Sequence, residues 1–569
     1  MAERRDRPAT WTHLVVTTET FFRTVTNVTG QEIPTFMEQW IYNGGHASFR
    51  VQYVFNRKRN MIELEVKQKV EPGNGRLRYV GPLTVVVQEL DGSFSHTVQI
   101  DGDISRADLQ CHSKGRRQKK KRVPLYSGDE VEVDLSNMDP DSPVLWIRLD
   151  PELHLIRNMI INQPDYQWEY MLRYERNVLA QLQALERLQL CPNPQSRDVL
   201  LETISNDIFF YRVRCHAAYA LTEVLNKMPE TWSGVPALLS LYRKIYGSKS
   251  CPAIPKSNNF VVTSQNLQQY FIQQALPQAL ARMRTNGMAL QEVQCFIIDY
   301  IRYNDNSINR YSDDHYRASL LSALAACVAP ASTLSGGNYV PEALSWEMSE
   351  VVEETTHALN LDTIKPTYRH VVGVAALSVI HQLQRNSHIP CDSRLFWNFA
   401  APNLCVNMRK AALHIIIERL SYTRKKQSTN DLMRLLTTLA QDPDPAIRLH
   451  IAKSLALMPP FSAHECTDTG PTNPCNTVQI AEELWKLISK TSLETRVRLL
   501  LLDLFFSLYG MSAPFVKGGP AMISGHQRAK RCQYDGRLNT LGWHNEILDG
   551  EQPASPESRS FSEDIDMLQ

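Results

Sequence analysis

The sequence predicts an α+β chain in two parts, a β-sandwich followed by a large all-α solenoid of stacked helical hairpins. Three observations carry that prediction. From Phe49 apolar and polar residues alternate, from Trp168 the apolar spacing becomes helical, and an arginine returns again and again at the head of the helical patterns. Period two marks a strand with one buried face, and a spacing of three to four marks a helix with one buried stripe.

The first 46 residues contain a short helical segment, Phe36, Met37, Glu38, Gln39 and Trp40, running into Asn43, Gly44 and Gly45, which can stop a helix. The sandwich is placed at residues 47–150. Phe49, Val51, Tyr53 and Phe55 alternate with Arg50 and Gln52; after a polar turn at residues 56–60 the alternation resumes in Ile62, Leu64 and Val66. Further strands are read around residues 83–87, 97–100, 131–133 and 144–147, with a turn at Asp91 and Gly92. Trp146, in the most apolar of these strands, is expected at the sandwich core.

Residues 151–515 are read as the solenoid. Leu172, Val178, Leu179, Leu182, Leu185 and Leu188 begin the helical stripe, and the arginine pattern follows at Arg214, Arg317, Arg369, Arg409, Arg448 and Arg498. The later intervals, about 40 to 50 residues, resemble the HEAT period. A solenoid presents a long surface for holding partners. The competing reading, an irregular α-bundle, does not explain why an arginine leads six patterns. These arginines are assigned to packing, each guanidinium bonding carbonyls or carboxylates of a neighbouring turn. Residues 516–569 lose periodicity and are expected to be a disordered tail.

The formal net charge of +1 excludes a globally basic nucleic-acid binder. The N-terminus resembles neither a secretory signal nor a transit peptide, and the apolar run at residues 499–506 is interrupted by Asp503 and too short to span a bilayer. With eleven cysteines in no repeated spacing, reduced thiols are expected, and the chain should be intracellular and soluble. The Asn27 sequon then has no function.

No standard catalytic signature occurs in the sequence. A zinc peptidase needs H-E-x-x-H, because histidines four apart share a helix face; the nearest string, His464, Glu465 and Cys466, lacks the second histidine. His464, Cys466 and Cys475 would leave a metal short of a fourth ligand. No G-x-S-x-G, Walker loop or G-x-G-x-x-G occurs. Asp313 and Asp314, just before an apolar helix, read as a cap. No catalytic residue, metal, cofactor or small-molecule substrate is expected.

One charged run stands apart. Lys114, Arg116, Arg117, Lys119, Lys120, Lys121 and Arg122 make seven of nine residues basic between two expected strands. A solvent-projecting loop of this density can neutralise phosphates or serve as a nuclear-import signal, the alternative being a merely solvated loop.

The order of the pieces resembles that of a known enzyme family. Gln39 to Gly45, the alternating strands and residues 145–150 resemble the junction at which M1-type zinc aminopeptidases pass from their catalytic domain through a small β-sandwich to a helical C-terminal half. The strings FNRKRN (55–60), YVGPLTVVVQELDGSFSHT (79–97), CHSKGRRQKKKR (111–122), MDPDSPVLWIRLDP (138–151) and MLRYER (171–176) narrow the resemblance to a non-peptidase branch, the TFIID subunit 2 family of TBP-associated factors. It covers roughly residues 20–515.

The resemblance implies an aminopeptidase-like fold, a nuclear location, and a structural role in core-promoter contact and pre-initiation complex assembly for RNA polymerase II. It implies as partners other TBP-associated factors, TBP, promoter DNA and, further out, chromatin, with no membrane. Residues 1–46 would then be a remnant of the helical end of a peptidase-like domain, and the chain a shortened form of a longer protein. Two other readings stay open here: a fragment of an M1-type aminopeptidase, and a cytoplasmic HEAT-type adaptor.

Overall fold

The computed structural model describes residues 16–510 apart from 44, 69–77, 115–118, 229–233, 258–266, 286–287, 330–344, 423–425 and 462–473. The chain opens with α1 (Thr18–Thr29), capped by the Thr17 side chain and ended by Gly30 at φ 72, a helix the sequence reading passed over. A short α2 (Pro34–Phe36) widens into a π-helical turn at Met37–Tyr42, where the helical segment was expected. Gln39 in that turn grips the Val80 backbone at both its carbonyl and its N–H, fastening the entry segment to the sandwich.

Nine strands follow: β1 (Ala47–Asn56), β2 (Met61–Gln68), β3 (Gly81–Glu89), β4 (Gly92–Ile100), β5 (Ile104–Gln110), β6 (Lys120–Pro124), β7 (Glu130–Asp134), β8 (Val144–Leu149) and β9 (Arg157–Asn162). One sheet has the order β5-β2-β1-β9 and faces a second of order β4-β3-β8. Phe49, Val51, Ile62, Leu64 and Val66 from the first meet Leu83, Val85, Val87, Ile147 and Leu149 from the second, the inward half of each alternation. The sandwich takes in more chain than the reading to residue 150 allowed, because β9 pairs in parallel with β1. Asp150 arranges that return. It accepts the backbone N–H groups of His154 and Leu155 and pairs with Arg157 Nε at 2.8 Å, both side chains buried.

The helical part begins with α3 (Asp165–Tyr174), α4 (Val178–Leu188), α5 (Pro194–Ser205), α6 (Tyr211–Asn226), α7 (Gly234–Tyr246) and α8 (Leu267–Ala281). It continues with α9 (Gln291–Arg302), α10 (Asp314–Cys327), α11 (Trp346–Ile364), α12 (Val371–Arg385), α13 (Arg394–Phe399) and α14 (Val406–Tyr422), then α15 (Lys426–Gln441), α16 (Pro445–Leu457), α17 (Val478–Ser489) and α18 (Thr495–Tyr509). Consecutive helices pair into hairpins, and the second helices α4, α6, α8 and so on to α18 stack on one another in an unbroken layer.

The recurring arginine has a common place in this scheme. Arg214, Arg317, Arg409, Arg448 and Arg498 each occupy the fourth position of a second helix. The last carbonyls of a helix have no partner within it, and the arginine supplies one to the helix before. Arg214 Nε donates to Ile204 O at 2.9 Å, Arg498 Nε to Ile488 O at 2.7 Å, and Arg409 Nε to Ala400 O at 3.4 Å. Arg448 donates to Asp442 O and pairs with Glu494. In α4 the same position holds Gln181, whose amide donates to Glu175 O at 2.7 Å.

Arg317 makes no such bond among the described residues. Arg369 departs altogether: it precedes α12 at φ 54, with its guanidinium over the Tyr368 ring, and the Asp362 carboxylate at the end of α11 is met instead by Thr367 and His370. Asp313 stands at the cap position of α10, but its carboxylate accepts from the Asn304 amide and bonds no helix N–H. The expected tail at 516–569, and His464 and Cys466, lie outside the described residues. No described helix is long and apolar enough to cross a membrane.

One apolar cluster runs from the sandwich side, through Leu90, Val123, Val133, Leu145 and Trp146, into α3 and on to Leu508 in α18. Trp146, 1% exposed, therefore belongs to the seam between sandwich and solenoid, not to the inter-sheet core where the sequence reading put it. Removing a buried Trp costs about 3–5 kcal/mol. In Trp146→Ala that loss should fall on the seam, so calorimetry should resolve two transitions, the sandwich melting apart from the helices; one unshifted transition would rule this placement out.

The stack also carries a pH dependence. Burial, with His414 and Lys410 alongside, pushes His450 in α16 down to about 4, and its Nε2 donates to Lys410 O at 3.0 Å. An unfolded histidine titrates near 6.5, so the unfolded chain binds the proton first. The contribution is complete above about 6.5 and is lost as pH falls toward 4. His450→Gln retains a donor for Lys410 O and should flatten the fall in melting temperature across that window; parallel curves for the two proteins would reject the assignment.

Candidate nucleic-acid interface

The basic run enters from β5 through a firmly held corner. Glu89, fully buried, accepts the N–H groups of His112 at 2.9 Å and Ser113 at 2.6 Å. Asn60, at φ 52 in the turn between β1 and β2, donates to the carbonyls of Cys111 and Ser113. Ser113 Oγ in turn accepts from Asp91 N. The pairing of β3 with β8 slips register between Gln88 and Glu89, and both of these consecutive polar side chains are buried there. Burial pushes the Glu89 carboxyl up, while the two N–H groups hold it down in part. At the far end Lys119 O accepts Leu135 N at 2.8 Å.

The structure corrects the picture of the run as a loop. Lys120, Lys121 and Arg122 form the first half of β6, antiparallel to β7 with Lys120 opposite Asp134, Lys121 opposite Val133 and Arg122 opposite Glu132. Alternation then sorts the cations by face. Lys121 shares the inner face with buried Val123; its side chain is 18% exposed and its ammonium pairs with Asp91. Lys120 and Arg122 point the other way and are exposed, Lys120 with Glu132 Oε1 at 3.7 Å. Lys114 and Lys119 are exposed as well. Arg116 and Arg117 lie outside the described residues.

The hairpin of β6 and β7 sits at the seam. Val123, Leu125, Val133 and Leu135 belong to the cluster that continues into the helices, and Asp134 N donates to Tyr174 OH at the end of α3. Beside it, Arg148 of β8 meets Glu175 at 3.6 Å with both side chains buried, and Tyr53 donates to Gln167, which donates to Val144 O. The cations are thus mounted on a braced strand. The signal that separates Lys121 from its neighbours was present in the sequence as its two-residue spacing from Val123, but charge density masked it.

Among the described residues no group of three or more His, Cys, Asp or Glu side chains could hold a metal. Cys475 is buried, and burial pushes its thiol up to about 11.

Fold and site together define an immunoglobulin-like sandwich capping a helical-repeat stack, with a basic hairpin at their junction. Comparison with known proteins matches the two parts of the fold. A family model described as a TAF2 Ig-like domain matches residues 44–164, and one described as TAF2-like, TPR repeats, matches residues 165–528. The chain belongs to the TAF2 family.

It is 47% identical over 575 residues to "Transcription initiation factor TFIID subunit 2" of Caenorhabditis elegans, covering 100% of this chain and 52% of that protein. The proteins of the same name from Drosophila melanogaster and Gallus gallus are each 42% identical, covering 89% of this chain and 40% and 42% of theirs. The chain thus spans about half the length, or less, of these relatives. A solved Legionella pneumophila aminopeptidase A aligns over 86% of this chain and 52% of its own at 11% identity, with a TM-score of 0.47.

The facing of the cations sets a graded expectation for DNA binding. Each phosphate that a cation no longer neutralises flattens the dependence of log K on log salt by about 0.9. Replacing Lys119, Lys120 and Arg122 with Ala should therefore lower the slope by about 2–3 units on promoter and scrambled duplexes alike, whereas Lys121→Ala, already satisfied by Asp91, should leave it unchanged. An unchanged slope for the triple variant would remove these residues from phosphate contact.

Proposed function

We propose that the chain is a non-enzymatic structural part of TFIID, a scaffold and core-promoter contact in assembly of the RNA polymerase II pre-initiation complex in the nucleus. The observation that carries this reading is the unbroken apolar core from β8 to α18. A sandwich and a solenoid sharing one core move together, and this suits a spacer that holds other subunits at set distances. The name borne by relatives at up to 47% identity supplies the complex. Other TBP-associated factors and TBP are then the protein partners, chromatin a more distant one, and the seam hairpin the part turned toward promoter DNA.

Phosphate contacts set position and affinity, whereas base-edge contacts supply sequence choice. The hairpin would therefore add grip without dictating a site. Affinity purification of the tagged chain from nuclear extract should recover TBP and other TFIID subunits in fixed proportion through size-exclusion chromatography. Elution of the chain free of them would overturn the assignment. Zinc analysis checks the non-enzymatic half, since one zinc per chain with chelator-sensitive hydrolysis of aminoacyl substrates would contradict it.

A further inference from the structure

Between the ends of α12 and α14 lies a polar cluster that the scaffold reading does not use. Arg419 in α14 is 9% exposed, and its Nε and Nη1 have no hydrogen-bond partner. Its remaining bond runs from Nη2 to Cys391 Sγ at 3.1 Å. Cys391 itself is exposed, just ahead of α13. Around them stand Tyr422, with the Arg385 guanidinium 5.6 Å from its ring centre, and Glu418, which pairs with both Arg385 and His381. His381 is 2% exposed and its Nδ1 also lacks a partner.

A buried guanidinium normally has its donors filled, because an uncompensated buried charge is costly. Here the group it does reach is a thiol sulfur open to solvent. Loss of the thiol proton to water would place a negative sulfur against this cation, and the thiolate is the nucleophile in disulfide exchange. No other described cysteine combines these features. Burial pushes Cys111, Cys215 and Cys327 up to about 12, and Cys251, though exposed, has no guanidinium bonded to it.

We propose that Cys391 is a redox-modification site that exchanges with small disulfides bearing carboxylates, of the glutathione class. The Cys391 thiolate attacks one sulfur of the disulfide, and the new S–S bond forms as the old one breaks. The departing thiolate leaves with the electron pair and takes a proton from water, so the disulfide is the oxidant and is half reduced. Arg385, whose side chain is half exposed, is the accessible cation for an incoming carboxylate. The neutral sulfur of the mixed disulfide no longer offsets Arg419, and the carboxylates of the added group supply the negative charge in its place.

The test is peptide mapping of the native full chain after timed exposure to glutathione disulfide. Cys391 should be modified about tenfold faster than Cys251, and Arg419→Gln should remove that advantage while leaving the Cys251 rate unchanged. Equal rates in the wild-type chain would overturn the proposal, as would an unaltered Cys391 rate in the variant. Continued protection of Cys215 and Cys327 reports that the variant is folded. If they become labelled, the wild-type chain decides through the charge of the reagent: glutathione disulfide should outpace the dicationic cystamine at Cys391 but not at Cys251, and cystamine reacting as fast at Cys391 would overturn the site.

Discussion

The donor at the fourth position of α4, α6, α14, α16 and α18 is the interaction on which these hairpins of the stack depend. A hairpin leaves unpaired carbonyls at the end of its first helix, and burying them against the next layer without partners would cost more than packing returns. Arg214, Arg409, Arg448 and Arg498 meet that need by reaching back across the loop, and Gln181 meets it in the first hairpin without a charge. The guanidinium has donors to spare, so the same side chain can also take an acid. Arg214 takes Asp207, Arg409 takes Asp442, and Arg448 takes Glu494. Asp442 links two repeats, pairing with Arg409 through its carboxylate and accepting Arg448 at its carbonyl. A buried pair of this kind adds little net stability over an apolar replacement, but breaking one side strands a charge.

The seam between sandwich and solenoid follows the same rule by other means. Three polar pairs cross it, Arg148 with Glu175, Tyr53 with Gln167, and Tyr174 with Asp134 N, while Tyr170 OH in α3 is buried without a hydrogen-bond partner. Glu175 also accepts the N–H groups of Arg176 and Asn177 at the start of α4, so one side chain sets both the docking of the strand and the first turn of the stack. Trp146 fills the apolar space between these polar braces. With polar contacts fixing orientation and apolar area supplying adhesion, relative motion of the two parts would have to break both together.

Much of this was legible in the sequence, and the exceptions share a cause. The six strands that the sequence reading placed, the helical stripe and five of the six arginines fall where period and composition put them, whereas β5 and β6 were not read as strands. Arg369 was misplaced because the residues after it are as apolar as those after its counterparts; only the backbone shows that Arg369 and His370 both lie at positive φ and that α12 starts at Val371. Gln181 was missed because its position, not its residue type, repeats. β9 was missed because Arg157 and Asn158 follow an Asp-Pro pair that reads as the end of the sandwich, and parallel pairing with β1 is a long-range fact with no local signature. At the basic run, composition located the charge, while pairing with β7 decided which cations face water.

That pairing also bounds what the hairpin can contribute. Opposite β6 stand Glu130, Glu132 and Asp134, so a duplex approaching the exposed cations meets carboxylates one strand away, about 5 Å off. At that separation the acids lower the local potential but do not cancel it, since Lys114, Lys119, Lys120 and Arg122 remain solvated while Lys121 is withdrawn to Asp91. The outcome is a narrow positive edge on a rigid strand in place of a diffuse positive surface. Such an edge attracts a phosphate backbone only along its own line, and because few cations neutralise phosphates its affinity is modest and its dependence on salt shallow. If this edge meets DNA as proposed, choice of sequence would have to come from contacts other than these cations, since phosphate contacts set position and affinity alone.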